Sequence, residues 1–557
     1  MKQLSEDLPH NHPWSKYYPK KYLYQLENAE MPIYYWLDQA AGQFPQKASL
    51  IFHNSKLNFK LFQQLSQRFA YSLQNRGLKK GDRVILMLPN CPQFAIAFFG
   101  LLRVGIISVP LNTQFTSNEL VYYLNDLEPK LIFTLNSFKD KVKRAIRLSS
   151  SKAKMVITKH TDIYNYLKDK KSFSNRNRDV GSLSFYDFLI NQNKFKGVDI
   201  KPQKDIAVIL YTGGTTGEPK GVMLTHFNIC SYLISYNSHF SQSIGNKKTL
   251  LVLPPYHVFG LNMIISAVLR RASLVMMEKF DPNKVIQLIQ EKKIEAFFGV
   301  PAMYAALIRY YMQDKQKNQL NSLTFCISGG SPISVQLWYK IKEMAPHTLL
   351  LEGYGLTEAS GGPLLDPVAE NYHKKDASVG IPIFNTEVKI IDLISGKDLP
   401  PGQHGEIITK SDHLFKGYWR KPELTKEIMK DEWLHTKDIG SMDEDGIFFI
   451  EGRLDDMINV RGEKVWSREV EKVLEDHPKV EEVAVIGVKD DYYGQIINAC
   501  IVLKDKQKAT KQELKEFCAK SLASYKVPKK IGFFKKLPKS HLGKILHYKL
   551  RKLSEDI

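Results

Sequence analysis

No stretch of this 557-residue chain is apolar for long enough to cross a bilayer. The most apolar run, residues 94–110, is interrupted by Arg103 and falls short of the roughly 20 residues a spanning helix needs. It reads as a buried helix followed by a strand. Cysteine is scarce: Cys91, Cys230, Cys326, Cys500 and Cys518 are far apart and odd in number. No CxxC pair or His/Cys cluster suggests zinc, and reduced thiols in a cytoplasmic enzyme are the plain reading. The opening residues, MKQLSEDLPHNHPWSKYYPKKY, lack the apolar segment of a secretory signal. Acidic residues are outnumbered, 58 against 79 lysines and arginines, for a formal net charge of +21. A basic surface attracts nucleic acid, anionic membrane or phosphorylated small molecules. The charge is spread along the chain, with no long arginine block and no recognisable base-reading motif, so we expect no nucleic-acid partner. Peripheral contact with an anionic membrane at the inner face stays open.

What is present is an alternation. Short β-branched runs at 83–89, 130–135, 207–212, 249–255, 273–278 and 323–330 read as buried strands, and amphipathic segments at 301–311 and 333–344 read as helices. This pattern argues an α/β protein with parallel sheet. From about Glu387 the rhythm changes to short strands separated by turns (EVKIID, GEIITK, GIFFIEGR), which suits a small antiparallel or barrel-like unit. After Gly452 a compact α+β pattern follows. We place the domain boundary at 453–456, giving a large N-terminal domain, 1–454, and a small C-terminal domain, 455–557. The polar stretch 163–182 reads as a solvated surface loop.

Residues 211–226 read YTGGTTGEPKGVMLTH. Gly213, Gly214 and Gly217 permit close backbone approach, so consecutive N–H groups can line an anion nest. Thr212, Thr215 and Thr216 add hydroxyls, and Lys220 adds positive charge. This is a phosphate-binding design, but not a GxxxxGK[ST] loop, because Gly217 is followed by Glu218-Pro219-Lys220. Farther on come PPYHVFG (254–260), SGGSP (328–332), EGYGLTEAS (352–360), EWLHTKDIG (432–440), EGRLDDMINVRGEKV (451–465) and LPKSHLGKILHYKLRKL (537–553). SGGSP follows a strand and precedes a helix, a junction that places free N–H groups where α/β sheets bind ligands.

In order and spacing these segments resemble the motifs of the adenylate-forming superfamily, which includes acyl-CoA synthetases, firefly luciferase and peptide-synthetase adenylation domains. PWSKYYP and FAIAFFG resemble bacterial fatty-acid ligases in particular. The resemblance implies a parallel-sheet α/β N-terminal domain with a small β-barrel-like subdomain and a mobile α+β C-terminal domain. It implies that the 212–220 loop holds phosphates and that Gly329, Gly330, Ser331, Pro332, Glu352, Gly353 and Gly355 surround the adenine. Tyr354 would stack on it, Thr357 would bond the α-phosphate, and Glu358 would ligate Mg²⁺. Asp438 and Arg453 would hold the ribose, Lys544 would be the catalytic lysine, and Asp455 the hinge. Arg461, Gly462 and Glu463 would border the CoA channel. Tyr232, His257, Phe259, Gly260, Val300, Met303 and Tyr304 would line the acyl pocket. The chain departs from the pattern at Lys437, where a glycine is usual, at Arg461, at Trp466-Ser467 in place of Tyr-Pro, and at His547 in place of an arginine.

The implied reaction joins ATP and a carboxylic acid, expected to be a medium- or long-chain fatty acid, as an acyl-adenylate. CoA thiol then displaces AMP. The small domain would rotate about Asp455 between the two steps. The resemblance also implies a homodimer. Two alternatives stay open: an acyl group passed to a carrier protein's phosphopantetheine, and a non-catalytic protein on a degenerate ligase scaffold.

Overall fold

The computed structural model describes residues 12–18, 29–168, 183–190, 195–213, 218–240, 247–314, 320–369, 372–460, 463–490, 494–539 and 545–555. The apolar run resolves as expected. Helix Pro92–Val104 starts on a proline, buries all its residues and ends on Gly105 in the left-handed region (φ 73°). Strand Ile107–Pro110 follows. The charge inside the run is satisfied: Arg103 Nη1 donates to Asp38 Oδ2 at 3.0 Å and Nε to Ser66 Oγ at 3.0 Å. Among the described residues no helix is long and apolar enough to cross a membrane.

The described strands form three sheets. In the first, Arg83–Met87, Ile107–Pro110, Leu131–Leu135 and Lys154–Thr158 pair in parallel, and Ile206–Gly213 joins them beside Ile107–Pro110. In the second, Thr249–Leu251, Leu274–Met276, Ala296–Gly299, Phe325–Gly329 and Leu349–Leu356 form a parallel core. This sheet turns antiparallel through Gly361–Leu365 and Ser378–Pro382 and continues into Thr386–Ile391, Gly405–Ser411, Trp433–Met442 and Phe448–Arg453. The antiparallel part therefore begins at Gly361, ahead of the change of rhythm read at Glu387, and the short strands after Glu387 continue it. The third sheet comprises Met457–Val460, Glu463–Trp466, Val480–Asp490, Gly494–Leu503 and Lys530–Phe533. Helices Ser467–Glu475 and Lys511–Ala519 accompany it, and Ile458, Val470, Leu474, Val485, Ile501 and Leu514 share its core.

Two expectations need correction. Residues 163–168 of the expected loop are not a loop: they belong to helix Asp162–Lys168, and Ile163 and Tyr166 are buried on one face of it. Their i, i+3 spacing was obscured by the polar residues around them; residues 169–182 lie outside the described residues. The phosphate-loop segment is also shorter than expected. Pro219–Thr225 is a strand paired antiparallel with Ile206–Gly213, and Thr212 is the register partner of Lys220. Pro219 does not interrupt a helix; it opens a strand, a position where its missing N–H is tolerated.

Candidate active site

The site is a cleft at the C-terminal edge of the parallel strands, bordered by Thr212, Lys220, Gly330, Tyr354, Glu358 and Asp438 among others. The strands deliver these groups for stated reasons. Phe325–Gly329 is followed by Gly330 at φ 80°, which turns the chain sharply before Ser331 and the exposed Pro332. Gly329 and Gly355 are needed for close approach. A Cβ on Gly329 would meet the Gly353 carbonyl oxygen at 3.2 Å, and one on Gly355 would meet the Gly361 oxygen at 2.7 Å.

Asp438 and Arg453 are register partners on adjacent antiparallel strands. Arg453 Nε lies 3.3 Å from Asp438 Oδ1, and the Tyr354 hydroxyl donates to Asp438 Oδ2 at 2.5 Å. Burial first, and Asp438 second, push the Tyr354 phenol well above its usual value. Lys437, where the motif has glycine, sits in the left-handed region at φ 59°. Its amide donates to Glu406 Oε1 at 2.9 Å and its ammonium pairs with Glu427 at 2.6 Å. Glu406 also bonds His435 Nδ1 at 2.9 Å, and Thr436 Oγ1 accepts from the Asp438 amide at 3.0 Å. This network holds the strained turn that presents Asp438.

Thr357–Ala359 forms one 3-10 turn with Glu358 inside it. The Tyr418 hydroxyl donates to Glu358 Oε1 at 2.7 Å, and Lys220 Nζ lies 5.5 Å from the Tyr418 ring centroid. Tyr418 therefore touches both the carboxylate and the phosphate-loop lysine. Behind the turn, buried His413 bridges the Ala359 carbonyl and Thr386 Oγ1, both at 2.9 Å. Burial lowers its pKa to about 4, so it is a neutral brace. Asn262 Nδ2 donates to the Ser360 carbonyl at 2.7 Å. The Glu358 carboxylate in the cleft suits Mg²⁺, which commonly takes one or two carboxylates and completes its shell with substrate phosphates and water.

Glu352 differs from its motif neighbours. Its carboxylate accepts from the Ile333 amide at 3.0 Å and from Lys374 at 2.8 Å, and Lys374 also reaches Asp366 at 3.1 Å. Burial raises Glu352 to about 7, because one ammonium serves two buried carboxylates. Its side chain braces the 330–333 segment from within.

On the acyl side, Thr225 and Asn228 form a capping box that starts helix His226–Ser238, which carries Tyr232. Gly361 (φ 152°) faces Tyr232 so closely that a Cβ there would meet the ring at 2.2 Å. Tyr232, His257, Phe259, Val300 and Gly329 border the cleft. His257 immediately precedes helix Val258–Leu269, and its ring packs 4.7 Å from that of Tyr256. Three expected pocket residues have other work. Tyr304 is fully buried in a core, its hydroxyl donating to Ile327 O at 2.9 Å and Phe297 O at 3.1 Å. Met303 packs between two apolar cores. Gly260 lets its helix approach the preceding loop, since a Cβ would meet Pro254 O at 2.2 Å.

Asp455 lies in the 3-10 turn Leu454–Asp456, and Glu463 opens strand Glu463–Trp466. Gly214, Thr215, Thr216, Gly217, Arg461, Gly462 and Lys544 lie outside the described residues. Lys539 and Ile545 form an antiparallel bridge, and His547 follows with Nδ1 3.6 Å from Asp456 and Nε2 3.6 Å from Glu471. Arg551, one turn on, also bonds Asp456. Sequence reasoning missed Tyr418, Glu406, His413 and Lys374, since each is a lone polar residue whose partner is distant in the chain.

The AMP-binding enzyme family model matches residues 37–419, and the model of the AMP-binding enzyme C-terminal domain matches 469–544. The chain is 35% identical to the long-chain-fatty-acid–CoA ligase of Bacillus subtilis (strain 168), covering 97% of each. It is 34% identical to the long-chain-fatty-acid–CoA ligase of Escherichia coli O6:H1, covering 92% of this chain and 93% of that one. The ATP-bound crystal structure of MatB from Rhodopseudomonas palustris superposes with a TM-score of 0.82 at 27% identity, over 95% of this chain and 99% of that one. The chain belongs to the AMP-binding enzyme family, as an acyl-CoA synthetase of the adenylate-forming superfamily.

Proposed function

We propose that this protein activates a medium- or long-chain fatty acid with ATP and transfers the acyl group to CoA, releasing pyrophosphate and then AMP. The observation that carries this reading is the convergence of Asp438–Arg453, Glu358–Tyr418 and Lys220 on one cleft that adjoins Tyr232 and Phe259. Relatives named as long-chain-fatty-acid–CoA ligases over nearly the whole chain support the acid class.

A free carboxylate is a poor acyl donor because oxide is its leaving group. Attack on the α-phosphorus of ATP makes an adenylate from which AMP departs readily. The protein's task is positioning and charge neutralisation. In this reading Asp438 and Arg453 hold the ribose, Tyr354 stacks on adenine, and Thr357 bonds the α-phosphate. The 212–220 segment holds the outer phosphates. Mg²⁺, when bound, would supply neutralising charge to the phosphates, and Glu358 is the residue that would hold it. Lys544 bridges carboxylate and phosphate oxygens, two anions that would otherwise repel. Residues 1–454 and 455–557 act as two domains hinged at Asp455, and the 461–463 segment borders the CoA path once the small domain turns.

The two half-reactions separate these roles. Lys544→Ala should abolish adenylate formation and spare thioester formation from supplied acyl-adenylate. Equal loss of both steps would overturn the assignment.

A further inference from the structure

A second, mostly apolar cavity adjoins the cleft and shares the walls Tyr232, Tyr236, Phe259 and Asn262 with it. One side is a single face of helix Val258–Leu269: Phe259, Met263, Ser266 and then Arg270, at the i, i+3/i+4 spacing that aligns side chains along a helix. From Phe259 to Arg270 the helix axis advances about 16 Å. The other side is sheet. The strands end at the cleft, one at Gly329 and one just before Val300, while the cavity also touches the strands' first residues, Thr249, Ala296 and Phe325. The cavity therefore runs from the reaction cleft across the sheet face to its opposite edge.

Its walls are apolar for most of the way, with Met263, Phe298 and Phe325, but its far end is cationic. Arg270 and Lys247 both line it, and no acidic side chain is among the described lining residues. Lys247 Nζ donates to Thr324 Oγ1 at 2.5 Å, beside the strand starts. The Arg270 guanidinium lies 5.8 Å from the Phe240 ring centroid. Burial lowers the Arg270 pKa to about 10, which marks an apolar environment. The adjacent carboxylate of Glu295 accepts from the Lys248 amide at 2.9 Å. A cation at a helix C-terminus ordinarily points to water; this one caps its helix and also faces an apolar cavity.

A methyl terminus gains nothing from that end. A carboxylate would gain charge-assisted hydrogen bonds from a planar guanidinium and a nearby ammonium. We propose that the cavity selects acids that carry a second acidic group at the far end of an apolar chain, that is, medium-length α,ω-dicarboxylic acids. One carboxylate reacts in the cleft while the other sits at Arg270 and Lys247. This rests on the ligase reading above and refines its substrate class.

The test uses the full-length enzyme with Mg-ATP and CoA and three acids of equal length: dodecanoic acid, dodecanedioic acid and the monomethyl ester of the latter. The wild type should show the highest kcat/KM with the diacid, and the ester, which keeps the length but removes the distal charge, should lose that advantage. In Arg270→Met the ratio of diacid to dodecanoate kcat/KM should fall about tenfold or more, the value of a hydrogen bond to a charged group. Lys247→Met should lower it in the same direction. The ester comparison needs no variant, so it stands if Arg270→Met fails to fold. Turnover of dodecanoate and ester as good as or better than that of the diacid overturns the proposal and leaves the ligase reading standing. Absence of turnover with all acids overturns both.

Discussion

The Tyr418 hydroxyl donates to Glu358 at 2.7 Å while the Lys220 ammonium lies 5.5 Å from the same ring. One tyrosine thus fixes both the cleft carboxylate and the lysine of the phosphate-binding segment. It reaches them because the short strand Gly417–Tyr418 pairs antiparallel with Pro219–Thr225. Tyr418→Phe keeps the ring and removes the hydrogen bond. It should lower kcat/KM for Mg-ATP about tenfold, the effect of losing one hydrogen bond to a charged group. The Mg²⁺ concentration for half-maximal rate should rise. An unchanged Mg²⁺ dependence would show that Tyr418 does not position Glu358.

Tyr304 is a core residue whose hydroxyl serves two buried carbonyls. Tyr304→Phe should cost about 1–2 kcal/mol in urea unfolding, the usual consequence of leaving buried acceptors unmet. It should leave the ranking of acid substrates intact. Val300, which borders the cleft, is the contrasting position: Val300→Phe should change that ranking. Reordered substrates in Tyr304→Phe would return Tyr304 to the pocket wall.

His547 replaces a motif arginine and lies between Asp456 and Glu471. Burial alone would lower its pKa, but the facing carboxylates of Asp456 and Glu471, each 3.6 Å away, outweigh it and hold the imidazole above its ordinary value. Glu475, Arg468 and Arg551 complete the surrounding charges. A folded-state pKa above the unfolded one contributes stability that is complete below pH 6.5 and is lost as pH rises through the folded value. His547→Gln should therefore destabilise the protein more at pH 6 than at pH 9 in denaturant titrations, and His547→Arg should remove the pH dependence of that difference. Equal losses at both pH values would contradict the ion-pair role.

Helix Lys139–Leu148 buries Val142 and Ala145 and exposes Lys143, Arg144 and Arg147, with Lys152 and Lys154 exposed just beyond it. Anionic vesicles should pellet the protein at low salt and release it as screening shortens the Debye length to about 8 Å. Serine at positions 143, 144 and 147 should weaken the pelleting. Binding that is absent, or indifferent to salt, would remove the membrane expectation.

The parallel strands were legible because each is a short β-branched run leading into an amphipathic segment, as in Phe325–Gly329 before Val335–Met344. The motif residues were legible as strings whose order is their signal. Local polarity misled at Ile163 and Tyr166, where two buried side chains are spaced for a helix among polar neighbours. Tyr304 looked like a wall residue because sequence does not say which way a helix faces. The left-handed turn at Lys437 was marked only as a departure; the structure shows Glu406 and Glu427 securing it. Tyr418 was invisible because its partners are 60 and almost 200 positions away.

The most direct measurement of the central claim is pyrophosphate and AMP release by the purified protein with Mg-ATP and a series of acids from acetate to oleate, with and without CoA. The account predicts acid-dependent pyrophosphate release and CoA-dependent turnover to AMP, with preference for acids long enough to fill the cavity beyond Tyr232. Absence of acid-dependent pyrophosphate release across the whole series, with a folded protein that binds ATP, would contradict it.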